Sequence, residues 1–134
     1  TRGVNKYHII RAALESIAYQ VNDVLDVMNR DSGITLSSLK VDGGASRNNL
    51  LVQFQSDLSN LPVMRPDCVE TTALGAAYFA GLSSGFWDGK EEIARNWKVE
   101  EIFHPEITDA DRMRHIRGWK RAVECACSWS AEEK

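Results

Sequence analysis

The residues best placed to do chemistry in this chain run from Val41 to Asn49, Val-Asp-Gly-Gly-Ala-Ser-Arg-Asn-Asn. A short apolar run, Leu39 and Val41, meets the adjacent glycines Gly43 and Gly44, and a helical pattern starts within a few residues. The order is strand, tight loop, helix start. Two glycines let the backbone take unusual dihedrals and let a ligand approach without meeting a Cβ. A helix start presents unpaired N–H groups and the positive end of its dipole, which favour a phosphate. The spacing fits a nucleotide cradle, but Gly-Gly loops between strand and helix are often plain tight turns.

Other reactive side chains assemble less well. Ser16, Ser46 and Ser128 have no His and Asp near them in sequence, so nothing supports a hydrolase triad. Asp57 sits near a helix end and Glu70 just before a helix, where capping and dipole roles suffice. Glu91, Glu92, Glu100 and Glu101 read as solvated faces, and Arg47 as a surface cation. His8, His104 and His115 have no ligand-like spacing with Cys68, Cys125 and Cys127. Cys125 and Cys127 lie two apart in a helical pattern and point to different faces. That cysteine usage fits a reducing cytoplasm. The four tryptophans, Trp87, Trp97, Trp119 and Trp129, read as packing residues.

The elements that must position these groups follow from periodicity. From Asn5 to about Asn29, Ile9, Ile10, Ala13, Leu14, Ile17, Val21, Val24, Leu25 and Met28 keep helical spacing, with Asn5 as N-cap and Gly33 just past the end. Leu39 to Val41 reads as a strand, 48–60 as a helix capped by Ser46 or Asn48 and ended by Pro62, and Val63 to Arg65 as a second strand closed by Pro66. A third helix opens at Thr71 and carries Gly75 and Gly81, each costing about 1 kcal/mol against Ala, so close backbone approach to a neighbour is expected. Residues 90–97 suit a short helix and Val99 to Phe103 an extended segment. The last helix opens at Thr108, paired with Asp111, and would bury Met113, Ile116, Trp119, Val123 and Ala126 before a frayed polar tail from Ala131.

One strand, a helix and a second strand imply a parallel pair with a right-handed crossover. Parallel strands are normally buried on both faces, and a sheet of two is marginal. The 134 residues suit one domain, and 43% apolar with 26% charged residues make the chain globular. A net charge of −3 argues against a broad nucleic-acid surface, and the apolar runs are too short to span a bilayer. The opening Thr-Arg-Gly-Val-Asn-Lys offers no apolar signal core and no initiator Met. The chain therefore reads as a piece of a larger α/β protein.

Three blocks, in order, resemble the glycerol kinases of the FGGY sugar-kinase family: Thr1-Arg-Gly-Val-Asn5 with Ala13 to Gln20, Val41 to Leu58, and Glu70 to Leu82 followed by Gly85-Phe-Trp87. The Gln-Phe-Gln-Ser-Asp string, Gln53 to Asp57, favours this branch over other sugar kinases. The resemblance implies a ribonuclease-H-like, actin-like ATPase fold, with 1–134 as part of the C-terminal domain on the nucleotide-binding side and the N-terminal domain absent. It implies nucleotide contacts at Gly44, through its backbone, and at Asn48, through its side-chain amide on the adenine edge, with Gly43 in support and Asp42 behind them or as a turn residue. ATP with magnesium would be the phosphoryl donor, glycerol the acceptor, and the intact protein a cytoplasmic homodimer or homotetramer with no nucleic-acid or membrane partner. The family's phosphate loop, glycerol ligands and catalytic aspartate match nothing here, so no catalytic or metal-binding residue is assigned and the piece alone should be inactive. A kinase of another polyol or sugar, or a non-catalytic α/β binding module, remain the alternatives.

Overall fold

A computed structural model describes residues 3–131. Thr1 and Arg2 of the opening block and residues 132–134 of the expected frayed tail lie outside the described residues. Helix α1, Lys6–Ser32, begins with a reciprocal capping box: Asn5 Oδ1 accepts from the His8 N–H at 3.3 Å, while the Asn5 N–H donates to His8 Nδ1 at 3.2 Å. It ends at Gly33, whose left-handed φ of 66° turns its N–H back to the Asn29 carbonyl.

Strand β1, Leu39–Lys40, and strand β2, Val63–Pro66, pair in parallel around helix α2, Asn49–Ser59, as the periodicity requires. Leu39 N–H donates to the Pro62 carbonyl and Val41 N–H to that of Met64. Helix α2 stops at Asn60, which takes the left-handed conformation at φ 55°, two residues before Pro62. The extended segment is a third strand, β3, Val99–Phe103, which joins β2 antiparallel with Phe103 opposite Val63. The sheet order β1-β2-β3 is therefore mixed, and the parallel pair is not left as a two-stranded sheet.

Helix α2 is buried on two sides. Leu51, Phe54 and Leu58 pack with Ala18 of α1 and with Ile116 of helix α5, Asp109–Ala131. Val52 packs on the sheet with Val63 and Phe103. Helix α5 is capped as expected, Thr108 Oγ1 accepting from the Asp111 N–H at 3.2 Å. Its buried stripe is shorter than the spacing suggests: Ile116 is buried and Trp119 half-buried, but Met113, Val123 and Ala126 are exposed. The helix meets its neighbours through His115, Ile116 and Trp119, and Trp119 stacks on Tyr19 and donates to Asp23. Trp129 is exposed, so it is not a packing residue among the described residues.

Helices α3, Thr71–Ser84, and α4, Lys90–Asn96, contain no buried residue. The close approach expected of the α3 glycines holds at Gly81, where a Cβ would collide with the Trp87 ring. At Gly75 a Cβ would meet nothing, so close packing does not explain that glycine within this chain.

Candidate nucleotide-binding turn

The glycine loop sits at the carboxyl end of β1, where ligands bind in open α/β sheets. Gly43 has φ 78° and ψ 169°, a region open to glycine alone, and its N–H donates to the Val69 carbonyl at 2.8 Å. The chain then makes one turn of 3₁₀ helix, Gly44–Arg47. Ser46 is buried and fixes the turn from inside, its hydroxyl donating to the Gly43 carbonyl at 2.7 Å. A Cβ at Gly44 would meet no atom of the chain within 4 Å, so the space beside it is open. Gly44 and Asn48 are both exposed.

Asn48 is the cap of α2: its Oδ1 accepts from the Leu51 N–H at 3.2 Å. Capping uses the oxygen and leaves the Nδ2 donors for an acceptor on a ligand. Asn49 is the first residue of the helix, and its Oδ1 accepts from Arg65 Nη1 at 2.7 Å. Arg47 is exposed, in keeping with a surface cation. Asp42 is exposed at the strand end and accepts a hydrogen bond from the Thr71 hydroxyl, which ties the start of α3 to the loop.

Two cavities flank the turn, and neither is lined by Gly44 or Asn48 themselves. One of about 180 Å³ is walled by Ile17, Val21, Val41, Ala45 and Leu51. The other, about 220 Å³, is bordered by Lys40, Asp42, Pro66, Thr71 and Trp97, with Lys40 Nζ 4.1 Å from the Trp97 ring centroid. The turn is thus an open ledge between two hollows rather than a filled corner. A cleft of about 340 Å³ between α1 and α5, lined by Tyr19, His115 and Trp119, shares no residue with it.

Several carboxylates make contacts beyond the capping and solvated roles their sequence positions suggest. Glu100 and Glu101 pair with Arg65 on β2, a residue that spacing did not single out because its partners lie 35 and 36 positions away. Asp57 is buried near the end of α2 and accepts from Gln53 Nε2 at 3.1 Å and the Glu106 N–H at 2.8 Å, so it anchors the segment after β3. Glu70 stands at the start of α3 but makes no side-chain cap bond. Among the described residues no group of three or more His, Cys, Asp or Glu could hold a metal ion. No helix among them is long and apolar enough to cross a membrane.

Residues 1–84 match the model of the FGGY family of carbohydrate kinases, C-terminal domain. The chain is 62% identical over 133 residues to a glycerol kinase of Agathobacter rectalis, covering 99% of this chain and 27% of that protein. It is 58% identical over 132 residues to a glycerol kinase of a Thermoanaerobacter species, covering 98% of this chain and 27% of the relative. It thus spans about a quarter of the length of the curated relatives it matches. Among solved structures, the Plasmodium falciparum glycerol kinase with ADP superposes with a TM-score of 0.79 at 36% identity, over 92% of this chain and 25% of that one. A xylulose kinase of Rhodospirillum rubrum superposes at 0.74 with 20% identity, over 96% of this chain and 26% of that chain, a likeness of fold alone.

Proposed function

This chain belongs to the FGGY family of carbohydrate kinases, and on that premise we propose that it is the nucleotide-binding part of a glycerol kinase. Its small mixed sheet packed by helices is that family's actin-like ATPase fold. Residues 1–134 together form part of the C-terminal domain. The intact protein moves the γ-phosphoryl group of MgATP to a terminal hydroxyl of glycerol, in the cytoplasm, as a homodimer or homotetramer.

The observation that carries this reading is the open turn at the end of β1. Gly43 supplies the conformation, Gly44 the free approach, and Asn48 a donor amide on the same ledge. Adenosine needs such a combination: a surface without side chains for close contact and a polar group that reads the ring edge. Phosphoryl transfer is largely positioning and charge stabilisation, and this segment contributes positioning at the adenosine end. The base, the phosphate loop and the metal ligands belong to the remainder of the intact protein.

The test is steady-state kinetics of the intact protein with ATP and a panel of polyols. Glycerol should be the preferred acceptor; a clear preference for another polyol or sugar would move the chain to another branch of the family. Gly44→Val, whose Cβ would meet no atom of the chain within 4 Å, should raise the ATP KM about tenfold or more, since a branched side chain enters ligand space. An unchanged ATP KM would remove the turn from the nucleotide site.

A further inference from the structure

Beside the glycine turn lies a buried cation that the function above does not use. Arg65, on the central strand β2, is 7% exposed, and its guanidinium spends donors in three directions. Nη1 donates to the Ser46 carbonyl at 3.0 Å and to Asn49 Oδ1 at 2.7 Å. Nε donates to Glu100 Oε2 at 2.8 Å and Nη2 to Glu101 Oε2 at 2.5 Å, both carboxylates belonging to β3. Its carbon centre lies 5.2 Å from the Phe103 ring centroid.

The two bonds from Nη1 land on either side of Arg47 and Asn48, one just before the pair and one just after. Ser46 in turn holds the Gly43 carbonyl through its hydroxyl. One planar group therefore joins the sheet directly to the turn on either side of Asn48, and through Ser46 to its Gly43 end. We propose that Arg65 is a positioning residue for the nucleotide: without touching it, the side chain holds the turn in the conformation that receives adenosine. The inference rests on the nucleotide-site reading above.

A turn released from this clamp would have to be ordered at each binding event, and apparent affinity falls by the fraction of time it is out of place. Lysine cannot substitute. Its single ammonium is a point donor and cannot reach two acceptors on the turn and two carboxylates on β3 together. Glu100 and Glu101 keep about half of their side-chain surface in solvent, which lets them neutralise the guanidinium without being buried as charges themselves.

The experiment compares Arg65→Lys and Asn49→Ala with the parent in the intact protein, measuring kcat, both KM values and the melting temperature. Arg65→Lys should raise the ATP KM about tenfold and Asn49→Ala a few-fold, with the glycerol KM and the kcat at saturating ATP close to the parent. A purely structural role would instead lower the melting temperature and the yield of active enzyme while leaving the ATP KM unmoved, and that result overturns the proposal. If Arg65→Lys does not fold, the ATP KM of Asn49→Ala decides alone. Gly44→Val, run alongside, separates the two levels: if it raises the ATP KM while both clamp variants do not, only the role of Arg65 fails. If it changes nothing, the nucleotide site itself is wrong.

Discussion

The amide of Asn48 divides its two ends between folding and the recognition proposed for it. Its oxygen caps α2 through the Leu51 N–H, and its nitrogen carries the donors that an adenine edge would use. The two roles can be pulled apart. Asn48→Asp keeps a capping oxygen at a position where aspartate caps well, and removes the donors. It should leave the melting temperature near the parent and weaken ADP binding several-fold by calorimetry. Asn48→Ala should lose both, with about 1 kcal/mol of stability going with the cap. An aspartate variant with parental ADP affinity would assign Asn48 to capping alone. At this scale the turn of Gly43 and Gly44 and the helix cap at Asn48 were legible because their signal is local: neighbouring residues, one strand end, one helix start. Arg65 was not. Its meaning comes from Ser46 and Asn49 at the turn and Glu100 and Glu101 on β3, residues distant in sequence that only the assembled fold brings around it.

Among the elements, α1, α2 and α5 are joined by an aromatic and polar seam. Tyr19 stacks on Trp119 at 5.1 Å between ring centroids, meets Phe54 edge-on, and places its hydroxyl 3.0 Å from His115 Nδ1. Burial raises the Tyr19 pKa above its ordinary 10.0; Glu15 adds to the rise and Arg11 opposes it. The folded state thus favours the neutral phenol. That contribution is fully present below the unfolded pKa and is lost as pH rises through the raised folded value. Between about pH 9 and pH 11 the parent should therefore lose melting temperature more steeply than Tyr19→Phe. At neutral pH the variant should be weaker by about 1 kcal/mol for the lost hydrogen bond. Parallel decline of the two proteins in alkaline melts would show that Tyr19 does not titrate this seam. Helix and strand order was readable from apolar spacing and caps. The length of the α5 stripe was not, because spacing reports which residues share a face and not how far the neighbouring helices extend along it.

At the scale of the molecule, the chain carries more apolar surface than its own folding uses. Ile10, Ile17 and Val24 recur every seven residues along α1 and are exposed; Phe79 of α3 and Phe86 beyond it are each 75% exposed. Exposed apolar side chains of this size would be covered by contact with further protein, in keeping with a chain that spans about a quarter of its curated relatives. The sequence carried the pattern that makes these faces apolar, but not which of them this chain would cover. Expressed alone, the 134 residues should show no phosphorylation of glycerol with MgATP, since no residue here is assigned as the base for the alcohol. Turnover by the purified chain would refute the division of labour proposed for the two parts of the enzyme.

The most direct measurement is a crystal structure of the intact protein with ADP bound. The adenosine is expected against the turn of Gly43 to Asn48, its ring about 3 Å from Asn48 Nδ2 and its approach passing over the bare Cα of Gly44. ADP ordered in a different part of the protein, with solvent left over that ledge, would contradict the account.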